Sequence, residues 1–401
     1  MKSFISLEEA IEILNQNIES LGEEEVSLIE AVGRNNAKDI YSEIDNPPFN
    51  KSAMDGYAIK SSDSFVGQIK LEVIDKVFAG HVSDKKVTDG TAIRIMTGAM
   101  IPEGADAVVK QEDVKSDGKF IELNKSLKEN ENICFKGEDI YVGKLLVAKG
   151  KKINYADVGI LASAGIDKVK VYKKPSVALI TTGDEVVDIN ENLTAGKIYN
   201  SNKYTIIGRL AELGAKINYI DHEADSFEEI GNKIVKASEC SDLILTTGGV
   251  SVGEKDLLND AINFVNGKIL FWKVLIKPGS AVLCSKVNDK LVISLSGNPT
   301  AMLTTFELLA KTSLEVLGGK DKIDLKREKA ILVDDFTRKS NQRRFVRGMF
   351  SSDSDGQKVC ITQVKSGNGI LSSAINSNCL IEIPKGNLGI NSGEYVNIIK
   401  L

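Results

Sequence analysis

A chain of 401 residues exceeds what one hydrophobic core organises, and at roughly 150 residues per domain it divides into about two to four. Its formal charge of −5 at pH 7 comes without a long basic tract, which excludes nucleic acid as the main partner. Five cysteines lie far apart with no C-x-x-C, and His81 and His222 are the two histidines, which argues against a structural zinc or disulfide framework and suits a reducing, cytoplasmic setting. The start of the chain is acidic where a signal peptide would be apolar, and no run reaches the ~18 apolar residues of a membrane span, so no membrane partner is expected.

In chain order, Ser6-x-x-Glu9 is a capping box, and Leu7, Ala10, Ile11 and Leu14 recur at helical spacing, which predicts helix through about residues 6 to 40. The prolines of Asp45-Asn-Pro-Pro-Phe-Asn50 break that pattern by forcing extended backbone. Asp55 before Gly56 has turn chemistry as its plainest reading. From about 59 to 139 the chain reads as short strands at Lys70 to Val77, Thr91 to Met96, Ala107 to Gln111 and Lys119 to Leu123, a β-rich module. Two of its loops, Met96-Thr97-Gly98 and Lys136-Gly-Glu-Asp139, carry side chains that either serve a ligand or sit solvated. A helix near 154 to 165 and a charged strand from Lys168 to Lys174 then lead to a boundary.

Residues 175 to 318 alternate strand and helix, which implies a mainly parallel sheet covered on both faces. Strands are predicted at Ser176 to Ile180, Ala215 to Ile220, Asp242 to Leu245 and Leu291 to Leu295, with helices at about 202 to 213, 226 to 238, 254 to 264 and 299 to 317. Right-handed crossovers bring the strand ends after Ile180, Leu245 and Leu295 to one edge, where open parallel sheets bind their ligands. Three loops meet there: Thr181-Thr-Gly-Asp-Glu185, the stretch from Thr246 to Asp256, and Ser296-Gly-Asn-Pro-Thr300. Gly248-Gly249 permits close backbone approach, Ser251-x-x-Glu254 is a capping box opening a helix, and Asn298-Pro299 is an N-cap with proline at the first helical position. Helix starts of this kind favour an anion or nucleotide-like ligand. Asp184, Glu185, Asp256 and, from a neighbouring loop, Asp225 form an oxygen-rich set suited to magnesium, although some of these carboxylates also have helix capping as an ordinary role. From about 319 to 401 the pattern is again short strands, a small barrel or sandwich, with Arg343, Arg344 and Arg347 either a solvated basic edge or an anion site with Ser366-Gly-Asn-Gly369.

Read together, Ser52-Ala-Met-Asp-Gly-Tyr-Ala58, Ile93-Arg-Ile-Met-Thr-Gly-Ala99, Gly137-Glu-Asp-Ile140, Thr182-Gly-Asp-Glu185, Thr247-Gly-Gly-Val-Ser-Val-Gly-Glu254 and Gly297-Asn-Pro299 resemble the MoeA family of molybdopterin molybdenumtransferases, relatives of the C-terminal part of gephyrin. The resemblance spans essentially the whole chain. It implies four domains: a discontinuous elongated domain of helix and strand at 1–44 and 140–173, a β-rich domain at 45–139, an α/β molybdopterin-binding domain at 174–318 and a C-terminal β-barrel at 319–401. It also implies a homodimer whose active site lies between subunits, a molybdopterin adenylyltransferase as pathway partner, and insertion of molybdenum from molybdate into adenylylated molybdopterin with magnesium-dependent release of AMP. Metal and adenylate contacts then fall on Asp184, Glu185, Asp225 and Asp256. Phosphate and pterin contacts fall on Thr182, Gly183, Gly248, Gly249, Ser251, Asn298 and Pro299. Asp55, Thr97 and Asp139 come from the second domain, and Lys273 and Lys277 supply positive charge for oxyanions.

The pattern departs from the commonest family form at Asn50-Lys51, Phe135-Lys136, Ser280 and Ser296. None of these removes a carboxylate of the implied metal set, so they bear on molybdate capture more than on the reaction class. Two other readings stand beside this one. A molybdopterin adenylyltransferase would have no need of residues 1 to 170 and 319 to 401, and a non-catalytic gephyrin-like scaffold would have no need of the acidic set.

Overall fold

The computed structural model describes residues 2–64, 69–250, 257–354, 356–362 and 371–401. The chain forms two compact units, one of Met1–Glu24, Gly33–Ala37 and Val171–Leu401, the other of Glu25–Val32 and Lys38–Lys170.

The larger unit is built on a seven-stranded sheet of β1 (Lys2–Ile5), β2 (Ser176–Thr182), β3 (Lys216–Glu223), β4 (Leu243–Thr247), β5 (Lys268–Val274), β6 (Leu283–Val287) and β7 (Lys290–Leu295), in the order β1-β5-β6-β7-β4-β2-β3. β7, β4, β2 and β3 run parallel, whereas β6 is antiparallel to both its neighbours. Alternation along the strands explains why both faces are covered. Val177, Leu179, Leu243, Leu245, Leu291 and Ile293 enter one buried cluster, and Ala178, Ile180, Ile244 and Val292 enter the other. Helix α1 (Leu7–Asn15) and helix α2 (Ser201–Glu212) pack on the first face, and α3 (Phe227–Cys240) and α4 (Leu257–Phe264) on the second. The last helix, α5, runs from Pro299 to Leu317 with a wider π turn at Phe306–Ala310.

The C-terminal strands β8 (Glu328–Leu332), β9 (Arg343–Asp353), β10 (Gly356–Ile361), β11 (Cys379–Ile383) and β12 (Tyr395–Lys400) close into a ring, because β9 pairs with both β10 and β11. Inward residues such as Val346, Val359, Ile381 and Ile398 fill the barrel, and Phe345, Leu380 and Ile399 on the opposite face join the α/β core.

The smaller unit holds a six-stranded sheet ordered Ala107–Lys110, Gly56–Ile59, Thr91–Ile95, Ile69–Val77, Phe120–Leu123 and Val114–Ser116. Tyr57, Ile59, Ala107 and Val109 bury on one side, and Ala58, Val108, Ile93 and Ile95 on the other. Gly56 opens its strand rather than a turn. A Cβ there would lie 1.9 Å from the Val109 carbonyl oxygen, so the pairing with the neighbouring strand requires glycine.

One expectation needs correction. The N-terminal helix stops at Asn15, and after Gly22, at φ +83°, the chain turns to an extended segment at Glu23–Ser27 and a single turn at Leu28–Ala31. Ile18 and Leu21 continue the apolar spacing and pack on the same core, but Asn15 and Asn17 are poor helix formers, Gly22 takes a positive φ, and three successive glutamates follow it. The helix expected from 254 begins at Leu257 within the described residues, while the capping box Ser251-x-x-Glu254 lies outside them.

Candidate functional site

Loops leave the carboxyl ends of the adjacent parallel strands β2, β4 and β7 side by side. Buried Thr182, closing β2, donates its hydroxyl to the Thr247 carbonyl at 3.3 Å, and the Gly248 amide donates to the Leu295 carbonyl at 3.2 Å. The tight turn dictates glycine at 248: φ is +98°, and a Cβ would stand 2.5 Å from the Thr182 carbonyl oxygen. Gly183 and Gly249 also take positive φ. A Cβ on Gly297 would meet the Gly248 Cα at 3.5 Å, so the second and third loops are in van der Waals contact. The predicted Thr182, Gly183, Gly248 and Asn298 thus share one edge.

A cleft of about 70 Å³ opens there, lined among others by Thr181, Thr182, Glu185, Tyr199, Asn202 and Pro299. Its outer wall is the segment after Glu185, where Val186–Val187 pairs in parallel with Ile198–Tyr199. Buried Asn200 pins that wall. Its Oδ1 accepts from the Lys203 amide at 3.0 Å, capping α2, and its Nδ2 donates to Thr181 Oγ1 at 2.9 Å. Asn202 Nδ2 donates to the Gly297 carbonyl at 2.8 Å, joining the first turn of α2 to the third loop. Arg209, further along α2, holds the helix to buried Glu307 of α5 through contacts of 2.6 and 3.2 Å. On the wall itself, the Lys203 ammonium and the Tyr204 hydroxyl (2.7 Å) hold the Asp188 carboxyl down at about 2. The sequence reading singled out none of Tyr199, Asn200 and Asn202. The available signal was an asparagine N-cap opening a helix after a short apolar pair.

Asp184 and Glu185 stand exposed just beyond β2, and the Asp225 amide donates to Asp184 Oδ1 at 3.1 Å. This brings the main chain of Asp225 against the carboxylate of Asp184, two of the four residues predicted to hold the metal. Asp256, like Ser251, lies outside the described residues. Among the described residues no group of three or more His, Cys, Asp or Glu side chains is arranged to hold a metal ion. Magnesium needs no such group: it takes one or two carboxylates and completes its shell from phosphoryl oxygens and water, and Asp184, Glu185 and Asp225 offer hard oxygens of that type. Asn298 spends its side-chain oxygen on its own helix, accepting from the Thr300 and Ala301 amides at 3.1 and 3.3 Å, so its demonstrated role is capping.

The two lysines differ. Lys273 is 6% exposed, with its ammonium 3.6 Å from the Trp272 ring centroid and 5.0 Å from that of Phe4. Lys277 is exposed on a short strand paired with Arg343 and Arg344 of the barrel. Arg343 contacts Glu8 and Glu382 (2.5 and 3.5 Å), and buried Arg347 donates to Ser377 at 3.3 Å. The Ser366 to Gly369 stretch proposed as their partner lies outside the described residues.

In the smaller unit, Asp55 and Thr97 are brought together. The Thr97 amide and hydroxyl each donate to Asp55 Oδ1 at 2.7 Å, and these bonds hold the exposed Asp55 carboxyl below its ordinary range. Asp139 is exposed on another turn, its amide donating to the Asn46 carbonyl at 3.1 Å. Beside it, Lys136 pairs with Asp45 at 3.4 Å.

Comparison with known proteins covers nearly the whole chain. Residues 5–165 match the family model of the MoeA N-terminal region (domain I and II), residues 178–316 a probable molybdopterin binding domain, and residues 329–401 the MoeA C-terminal region (domain IV). Over 400 residues the chain is 38% identical to a molybdopterin molybdenumtransferase of Staphylococcus aureus strain COL, covering 98% of this chain and 95% of that one. The enzyme of the same name from Staphylococcus epidermidis strain ATCC 12228 is 37% identical over the same coverage. Two crystal structures of a molybdopterin biosynthesis MoeA protein from Pyrococcus horikoshii superpose with TM-scores of 0.84 and 0.83, at 32% and 34% identity. Each covers 99% of this chain, against 98% and 100% of the respective structures.

Proposed function

Because this chain belongs to the MoeA family of molybdopterin molybdenumtransferases, we propose that it inserts molybdenum from molybdate into adenylylated molybdopterin and releases AMP, completing the molybdenum cofactor. The observation that carries this reading is the meeting of the β2, β4 and β7 loops beside the Asp184–Asp225 contact. Small hydroxyl and glycine residues there suit a phosphorylated substrate, whose phosphoanhydride the carboxylates of this edge would face.

Within this proposal, Gly248, Gly249, Thr182 and Gly183 form the phosphate-side floor, with Ser251 as a further contact. Pro299 closes the cleft on the third-loop side, and Asn298 fixes the loop that carries it. Asp184, Glu185, Asp225 and Asp256 would hold magnesium, which supplies neutralisation of phosphoryl charge as the anhydride breaks. The protein's own part is to orient the substrate and exclude competing water, and no covalent nucleophile is needed. Lys273 and Lys277 meet the oxyanions of molybdate, while Asp55, Thr97 and Asp139 act from the second domain of a partner subunit in a homodimer. The chain is read as four domains, 1–44 with 140–173, 45–139, 174–318 and 319–401. A molybdopterin adenylyltransferase is the class of enzyme that must supply the substrate. No helix among the described residues is long and apolar enough to cross a membrane, and the cytoplasm is the proposed compartment. Incubation with adenylylated molybdopterin, molybdate and magnesium tests the reading through AMP release and formation of active cofactor.

A further inference from the structure

The acidic edge carries two carboxylates that the proposed reaction does not use. Asp221 and Glu223 project from the end of β3, immediately before the turn that presents Asp225. Both are met by one cation. Lys233, in the second turn of α3, places its Nζ 2.9 Å from Asp221 and 2.9 Å from Glu223, and donates to the His222 carbonyl at 2.6 Å. The Tyr219 hydroxyl closes on Asp221 at 2.6 Å. The Lys233 and Glu223 side chains are each 21% exposed, so these charges are screened less than those of a surface pair.

The same segment is tied to the reactive loop from its other side. The Gly183 amide donates to the Glu223 carbonyl at 3.4 Å, and the Asp225 amide reaches Asp184 at 3.1 Å. Ser226 caps α3 by accepting from the Glu229 amide at 3.3 Å, which sets the helix that carries Lys233. The lysine therefore sits where one helix, one strand end and the acidic loop are joined. Burial is the largest single influence on its pKa and pulls it down, but the bonds to Glu223 and Asp221 outweigh burial and leave it raised, so the ammonium stays charged at neutral pH.

We propose that Lys233 is a positioning residue that offsets the charge of Asp221 and Glu223, leaving this pair with one net negative charge rather than two, so that a polyanionic substrate meets less repulsion beside the carboxylates that bind its metal. This rests on the function proposed above. Without the lysine, two uncompensated carboxylates stand next to the loop where phosphoryl oxygens dock, and repulsion raises the substrate concentration needed while the reacting groups stay in place.

The test measures AMP release at fixed saturating magnesium, varying adenylylated molybdopterin, for the full-length wild type, K233M, K233R and the triple variant D221N/E223Q/K233M. The expected result is a KM rise of about tenfold for K233M with kcat within about threefold, a near-normal KM for K233R, and recovery to within about threefold in the triple variant. An unchanged KM in K233M overturns the proposal, as does a triple variant whose KM stays as high as that of K233M. Should K233M fail to fold, K233R and the triple variant still decide, because charge compensation requires both to bind normally. Absence of turnover in the wild type would strike the proposed function instead, which separates the two failures.

Discussion

The main-chain amide of Asp225 hydrogen-bonds the Asp184 carboxylate at 3.1 Å, which joins the loop after β3 to the loop after β2. The bond uses the backbone of Asp225, so it does not depend on which side chain that position carries.

That separation makes Asp225→Asn a clean probe. The amide bond to Asp184 survives the substitution, so the unfolding midpoint should stay within about 2 °C of wild type, whereas magnesium-dependent AMP release should fall by roughly 100-fold or more. Thermal unfolding and a magnesium titration of AMP release check the two halves. Wild-type turnover would remove Asp225 from the metal set.

Gly248→Ala addresses the turn itself. The new Cβ would press on the Thr182 carbonyl oxygen at 2.5 Å and its hydroxyl at 2.6 Å, at a φ of +98°. The expected cost is about 1–3 kcal/mol, or roughly 2–10 °C in the unfolding midpoint of a domain this size. AMP release should fall with it, because the strand end and the loop move together. Calorimetry of the variant provides the number, and an unshifted midpoint contradicts the close approach.

Asp55 and Thr97 give a prediction about pH. The two Thr97 bonds lower the Asp55 pKa in the folded state, so their contribution is fully present above the unfolded carboxylate value of about 3.9 and is lost as pH falls through the lower folded value. Near neutrality the contact is insensitive to pH. Thr97→Val removes the hydroxyl bond and should move the Asp55 titration upward in a carboxyl NMR experiment. Asp55→Ala should abolish molybdenum insertion with little loss of stability, since the group is exposed; a collapsed melting transition would instead assign Asp55 to the local fold alone.

Much of this architecture is legible in the sequence because continuous apolar runs such as Leu243-Ile-Leu245 mark strands buried on both faces, and N-caps such as Ser6, Asn154, Ser226 and Asn298 mark helix starts. Periodicity assigns a face but not a partner. Lys2–Ile5 was therefore not readable as the edge strand paired with Phe271–Val274, nor β6 as the antiparallel member of the sheet. At the site, Gly248 and Asp184 announce themselves through turn and carboxylate chemistry. Lys233 and Asn202 do not, because a lysine or asparagine on a helix reads as a solvated face until the fold shows what it touches.

The most direct measurement of the central claim is a single incubation of the purified protein with adenylylated molybdopterin, molybdate and magnesium, following AMP and active molybdenum cofactor together. Both products should appear in step, and both should require magnesium. Neither product forming, or AMP forming without cofactor, would contradict it.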